Sequence, residues 1–291
     1  MNRRAWSQLI VLSALWGTVY LLIEITLREL SPTLVVLGRT ASAAAVLTPI
    51  ALHRQALQPL LQRPRAVIET VLMQSTAPLL LLTVGQQYVS AGIASILVGA
   101  QPLFVALLAM RFAPQERPRG RQGALGLLLG LLGLVLLFGI DLRGGYQALL
   151  GGLLVLASAV CYAAGALMIR HRLADAEPLG VATGAMLITT VALLIPGLFS
   201  LPASMPSLPA LGALLVLGVV CTGGTLVLFY TLISRSGPAH AALAFYLSPA
   251  FAVVLGAVLL QEQPAISTVF GLAAIVAGAI LAGRSQKPTV L

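Results

Sequence analysis

Apolar residues fill this chain in long, nearly charge-free blocks, broken by short clusters of arginine, proline and glycine. Residues 5–23, 122–140, 144–169 and 263–283 carry no charged side chain. Each is close to the roughly 20 apolar residues that one helix needs to cross a bilayer. Residues 70–110 and 178–234 are uncharged over twice that length and must each hold two helices. Further spans fall near 33–52 and 238–260. The pattern predicts ten membrane helices.

The pattern also repeats. The stretch Ala91 to Gly133 holds an apolar span with a central proline, a short basic loop and a glycine-spaced apolar run. Pro238 to Leu281 returns the same order. Pro102 matches Pro249, an offset of 147, and Glu116 and Pro118 match Glu262 and Pro264, an offset of 146. Gly123 and Gly130 match Gly271 and Gly278, an offset of 148. Ser31-Pro32 and Glu177-Pro178 both place proline in the first turn of a span, where it costs no hydrogen bond. A period near half the chain indicates tandem duplication into residues 1–140 and 144–291. Five spans per half is an odd number, so the second copy enters the membrane upside down. Inverted repeats of this kind are typical of secondary transporters, with the substrate held between the repeats near the midplane.

Composition agrees. The 291 residues are 59% apolar and 9% charged, with a mean hydropathy of +1.00. Soluble domains carry roughly 25% charged residues. Ten spans consume about 200 residues and leave no room for a soluble domain. The net charge of +9 invites a nucleic-acid reading, but the charges are better explained as topology signals. With the N-terminus cytoplasmic, fourteen of the 17 lysines and arginines fall inside, Arg28 and Arg143 fall outside, and Arg39 lies within a span. That follows the positive-inside rule and puts both termini in the cytoplasm. The basic, apolar N-terminus resembles a signal peptide but has no small-x-small cleavage site before Glu24, so it reads as an uncleaved first span. Cys161 and Cys221 fall inside spans and imply no disulfide.

Several polar residues sit where only apolar ones are cheap. In the first span Ser13, Trp16, Gly17, Tyr20 and Glu24 share one helical face. Singly, the aromatics read as packing; as a stripe they suggest a cavity. Arg39 lies two turns into the second span, roughly 10 Å deep. Either it pairs with Glu24 or it snorkels to the headgroups. Gln74 and Pro78 are mid-membrane oddities of the third span, and Pro102 kinks the fourth beside Ser95 and Gln101. Pro249 does the same in the ninth. The interval Gly126 to Gly130 signals close helix packing rather than chemistry. His240 reads as a hydrogen-bonded structural group.

Catalytic chemistry finds few carriers. Lys287 is the one lysine and lies in the tail, which excludes a Walker A loop and an intramembrane Schiff base. Asp141 and Asp175 both lie in loops. No G-x-S-x-G occurs and no ligand set has metal spacing, so neither enzyme activity, metal nor cofactor is expected.

With A-L-W-G at Ala14 to Gly17, the matched Pro102 and Pro249, E-x-P at Glu116 and Glu262, and G-x6-G at Gly123 and Gly271, the chain resembles the ten-span EamA-type branch of the drug/metabolite transporter superfamily. Many members carry a lysine in the first span, where this chain has Glu24. The resemblance implies an all-α integral membrane protein with two inverted five-helix repeats around a central cavity. Spans 1, 3, 4, 6, 8 and 9 would form that cavity, and spans 5 and 10 would lie further out. Lining candidates are Trp16, Tyr20, Gln74, Pro78, Ser95, Gln101, Tyr162, Thr222, Tyr230, Tyr246 and Ser248.

This neutral, aromatic set suits small neutral or zwitterionic metabolites, and aromatic or hydrophobic amino acids best. Export across the bacterial inner membrane without ATP is the expected activity. Alternatives are a lipid or drug transporter of the same fold, or a non-transporting membrane protein. Expected partners are the solute and the bilayer, with the protein a monomer or homodimer and no nucleic acid bound. If Arg39 holds Glu24 ionised, no intramembrane carboxyl is free to carry protons, which favours flow down the solute's own gradient over proton coupling.

Overall fold

The computed structural model describes residues 3–112, 120–141, 145–229, 243–263 and 266–284. Among these, long helices carry the fold. They are α1 (Arg3–Leu27), α2 (Pro32–His53), α3 (Pro64–Gly85), α4 (Ala91–Phe112), α5 (Gly120–Asp141), α6 (Gly145–Arg172), α7 (Pro178–Leu198), α8 (Leu208–Phe229), α9 (Leu243–Leu259) and α10 (Ile266–Arg284). Seven of them are long and apolar enough to cross a membrane, and α9 and α10 add apolar stretches at Leu247–Leu259 and Thr268–Gly278. This is a multi-pass membrane protein. Its chain is longer in helix than the charge-free runs indicate, because α3 extends back to Pro64 through Arg65 and Glu69. The loop expected from Leu52 to Arg65 contains a one-turn helix, Gln58–Leu61, whose buried Leu60 packs against α7.

Prolines mark the starts. Pro32 and Pro178 stand in the first turns of α2 and α7, and the Ser31 hydroxyl accepts the Leu34 N–H at 3.3 Å. α4 is interrupted at Ala100, so regular helix resumes at Gln101 beside Pro102. Two other departures are wider. α3 contains a π-helical turn at Leu72–Thr76, and α8 contains one at Val216–Gly224. The two turns occupy corresponding places in the halves, since Thr76 and Thr222 are 146 residues apart.

Packing couples the halves throughout. α5 packs on α10, α2 on α7 and α4 on α9. α1 packs on α9 and α8, and α6 on α4 and α3. α2 packs on α8, and α7 on α3. Exchanging each helix for the one five places along turns these pairs into one another. The glycine-spaced helices α5 and α10 are each other's partners. A Cβ on Gly278 would sit 2.6 Å from the Gly126 carbonyl oxygen and still closer to the backbone of Gly130. Hydrophobic burial does not drive helices together in lipid, so this backbone-to-backbone contact supplies the dispersion attraction instead.

The exterior and interior are sorted accordingly. Leu125, Leu128, Leu132 and Val135 form an exposed stripe on α5 at helical spacing, suited to lipid. Buried hydroxyls return to their own helices. Ser13 donates to the Leu9 carbonyl, Thr40 to Val36, Thr83 to Leu79 and Thr225 to Cys221, at 2.7–2.9 Å. The buried hydroxyls of Thr48 and Thr70 are exceptions and have no partner.

Replacing Gly278 with leucine should force α5 and α10 apart, at a cost of about 1–3 kcal/mol or more. Thermal melting of purified protein in detergent should show a clear drop. Gly212→Ala, whose new methyl meets open space, should melt unchanged or slightly higher. Equal melting of both variants would show that the α5–α10 contact contributes nothing.

Candidate functional site

One cavity of about 240 Å³ lies among α1, α2, α3, α4, α6, α7, α8 and α9. Call the end where α1 begins the near end. The cavity runs from the level of Tyr20 and Leu82 to that of Ile169 and Val181, toward the near end. Lining residues come from both halves.

The wide turns bring polar groups to its wall. Gln74 and Ser75 of the α3 turn and Cys221 and Thr222 of the α8 turn all border it. Inside the α8 turn the Thr222 hydroxyl donates to the Leu217 carbonyl at 2.8 Å and accepts from Arg39 Nε at 2.7 Å. Arg39 is only 7% exposed, borders the cavity, and its Nη1 has no partner. Gly218, one turn earlier on α8, lets the two backbones touch. A Cβ there would lie 2.6 Å from the Arg39 carbonyl oxygen and would overlap the Ser42 hydroxyl. The matching turn in α3 uses Thr76, which hydrogen-bonds Thr189 of α7 at 2.9 Å.

An aromatic cluster forms another wall. Trp16 lies 5.2 Å from Phe229 and 4.7 Å from Phe245, centroid to centroid, and Phe229 and Phe245 meet edge to face at 5.9 Å. Tyr20 and Tyr162 also border the cavity, with Arg39.

Of the residues singled out by sequence, the structure brings Trp16, Tyr20, Gln74, Ser95, Gln101, Tyr162, Thr222 and Ser248 to this cavity, with Pro249. Pro78 is buried but not among the lining residues. Tyr230 lies outside the described residues, as do Glu116 and His240, and the side chain of Tyr246 is likewise outside the description. The α1 stripe also divides. Trp16 and Tyr20 face the cavity, whereas Ser13 bonds its own helix and Gly17 packs against Phe251 and Ala252 of α9.

The expected Glu24–Arg39 pair does not form. Arg39 is instead held by Thr222 of α8, and Glu24 lies near Glu262 with its Oε2 buried and unpaired. The premise that Arg39 keeps Glu24 from carrying a proton therefore falls. Sequence gave no signal for Phe229, Phe245 or the role of Glu262, and α7 contributes Val181, Ala182, Ala185 and Met186, a helix not expected at the wall.

Hydrogen bonds tie the far end together. Glu262 accepts the Ala91 N–H at 2.8 Å and the Gly92 N–H at 3.2 Å, a carboxylate at the start of α4 where the helix dipole favours negative charge. Gln86 Nε2 donates to the Tyr20 carbonyl at 2.5 Å. Glu29 accepts from the Ser207 N–H at 2.6 Å and from its hydroxyl, and these bonds hold its carboxyl below the ordinary range. At the near end exposed ion pairs join α3 and its approach to the α6–α7 corner. Arg63 grips Asp175 at 2.6 and 2.9 Å and holds that carboxyl low, and Arg172 reaches Glu69 at 2.5 Å. Exposed pairs contribute little stability. Among the described residues no cluster of His, Cys, Asp and Glu could hold a metal.

Comparison with known proteins bears on this architecture. The sequence pattern of the EamA-like transporter family matches residues 4–139 and 149–284. The uncharacterized transporter YoaV of Bacillus subtilis is 24% identical over 274 residues, 93% of each chain. The uncharacterized inner membrane transporter YedA of Escherichia coli is 27% identical over 255 residues, 85% of this chain and 80% of its own. A solved crystal structure is similar over 99% of both chains, with a TM-score of 0.69 at 22% identity.

Removing the Glu262 carboxylate should loosen the far end. In Glu262→Ala, hydrogen–deuterium exchange at the amides of Ala91 and Gly92 should speed up severalfold, while Asp175→Ala leaves them unchanged. Unaltered exchange in Glu262→Ala would mean that its two hydrogen bonds do not hold the start of α4.

Proposed function

The chain belongs to the EamA-like transporter family, and from that premise we propose that it exports small organic solutes across the bacterial inner membrane by alternating access. The observation that carries this reading is the cavity, lined from both halves, aromatic on one side and polar on the other. Its volume of about 240 Å³ and the Trp16–Phe229–Phe245 cluster favour solutes with an aromatic or apolar body. Aromatic and hydrophobic amino acids, and relatives of similar size, are the proposed class.

Ten spans, in two five-helix halves related by an axis in the membrane plane, make up the proposed transport machine. The interchange of helix pairs supports this, as does the recurrence of a wide turn in α3 and α8. Alternating access needs two arrangements of similar energy, and a duplicated contact set supplies them. Here Glu262 and Gln86 tie the far end while the Arg63–Asp175 and Arg172–Glu69 pairs tie the near end, so a far-open state would break the first set and a near-open state the second.

A second reading concerns the driving force. Glu24 lies near Glu262 at the far end, with its Oε2 buried and unpaired, and a proton can be shared between neighbouring carboxyls. That proximity favours proton coupling over simple flow down the solute gradient.

Proteoliposomes loaded with phenylalanine, without ATP, should release it in a protein-dependent way. Trp16→Ala should cut that flux at least about tenfold with little change in expression, because truncating one buried aromatic wall costs a few kcal/mol of contact. Flux that needs an imposed proton gradient, and loses that need in Glu24→Gln, decides for coupling. The absence of any flux, or full flux in Trp16→Ala, would sink the assignment of this cavity. Orientation is checked separately. A cytoplasm-restricted reporter fused to the C-terminus should be active, and a periplasmic one silent.

A further inference from the structure

We infer that Arg39 is an anion subsite, and that the solute this cavity takes carries a net negative charge: an aromatic or apolar body bearing a carboxylate or a comparable acid group. The inference rests on the transport reading and commits it on charge.

Three observations carry it. First, Arg39 is buried inside the bundle, yet only its Nε is hydrogen-bonded, to a neutral hydroxyl, and Nη1 has no partner. A guanidinium presents five N–H donors in a planar fork matched to a carboxylate. Leaving a charge so placed without a counter-charge is costly at membrane depth. Side chains kept there against that cost serve a site. Second, the cavity offers no compensating negative charge. Among the described lining residues Arg39 is the one charged side chain, and none is Asp or Glu. Glu24, the nearest membrane carboxyl on α1, lies near Glu262 at the far end instead. An amino acid's carboxylate would be met here, but its ammonium would meet only neutral groups such as Gln74 and the serines. A monoanion leaves the cavity electrically balanced; a zwitterion leaves it at +1.

Third, the geometry joins charge and apolar body. Arg39 shares the cavity with the hydroxyl-bearing rings of Tyr20 and Tyr162, which can add donors to an acid group. Trp16, Phe229 and Phe245 share the cavity and offer the apolar surface. The position 146 residues after Arg39 is Ala185 of α7, which also lines the cavity. The duplication has kept the wall and left the charge on one side, so a single acid group per solute is what the site can pair.

Calorimetric titration of the purified protein tests this with four probes of one shape: 3-phenylpropionate, its amide, phenethylamine and phenylalanine. The acid should bind at least about tenfold more tightly than the amide, the scale of a hydrogen bond to a charged group, and more tightly than phenylalanine. Arg39→Gln should erase the difference between acid and amide, and Arg39→Lys should keep its sign. Equal binding of acid and amide, tighter binding of phenylalanine or of the amine, or an acid preference that survives Arg39→Gln would overturn the subsite. If Arg39→Gln fails to fold by thermal melting, the ranking on the wild type and Arg39→Lys still decides.

Flux separates this from the broader reading. In proteoliposomes, 2-phenylethanesulfonate, ionised at every working pH, should move in a protein-dependent way and respond to an imposed potassium diffusion potential. Flux of phenylalanine alone, indifferent to Arg39→Gln, sinks the anion subsite and leaves the transporter reading standing. No protein-dependent flux of any probe sinks both.

Discussion

A guanidinium held two turns deep in an apolar helix bundle constrains everything around it. Such a charge needs hydrogen bonds from elements that themselves have few polar groups to give. The chain meets this need by deforming a helix. The π-helical turn of α8 places Thr222 where its hydroxyl both donates to Leu217 and accepts from Arg39. Gly218 then lets α8 close onto α2 so that the 2.7 Å bond can form. With that contact fixed, the cavity has a polar wall opposite its aromatic one. Straightening α8 would save no hydrogen bond and would strand the charge.

Its counterpart in the first half shows what a duplicated scaffold can vary. The α3 turn carries Thr76, which bonds Thr189 on α7. The mechanical joint between a wide turn and a neighbouring helix is therefore present twice, once charged and once neutral. If the halves do exchange roles, the shared backbone turn would be the feature to preserve, with single side chains setting the chemistry. The far-end contact is of the same kind. Glu262, from the second half, holds the start of α4, from the first, and the E-x-P motif that contains it exists in both halves.

Much of this was legible in the residues. Charge-free runs located the spans because lipid tolerates no other composition, and first-turn prolines marked where α2 and α7 begin. Trp16, Tyr20, Gln74, Tyr162 and Thr222 stood out because polar and aromatic groups at helical spacing need a reason inside a membrane. What stayed hidden has physical causes. Pro78 shares Gln74's side of the helix by its spacing, yet it is buried and does not line the cavity, and the spacing alone gives no sign of this. The Arg39–Thr222 bond spans 183 positions, and the bond from Ala91 to Glu262 spans 171, so neither leaves a local trace. Proximity along α1 and α2 suggested Glu24 for Arg39, but Thr222 holds it instead. Phe229 and Phe245 read as ordinary lipid-compatible residues until the fold gathered them around Trp16.

The separation of Glu24 from Arg39 has an energetic consequence for transport. Had they paired, the cavity would be neutral when empty, and a neutral solute would enter without disturbing any charge. With Glu24 near Glu262 at the far end, the empty cavity is positive, and binding and gating would use different charges. An anion paired with Arg39 would cross toward the outside with the membrane potential, a drive of about 2.3 kcal/mol per charge per 100 mV. Export of such a solute needs no nucleotide motor, and the chain's one lysine, Lys287, lies in the tail, away from any phosphate-binding loop. The carboxyls at the far end then stand apart from the charge that would pair with the solute. On the proposed reading, Arg39 would select what enters and the far-end carboxyls would bear on when that side opens.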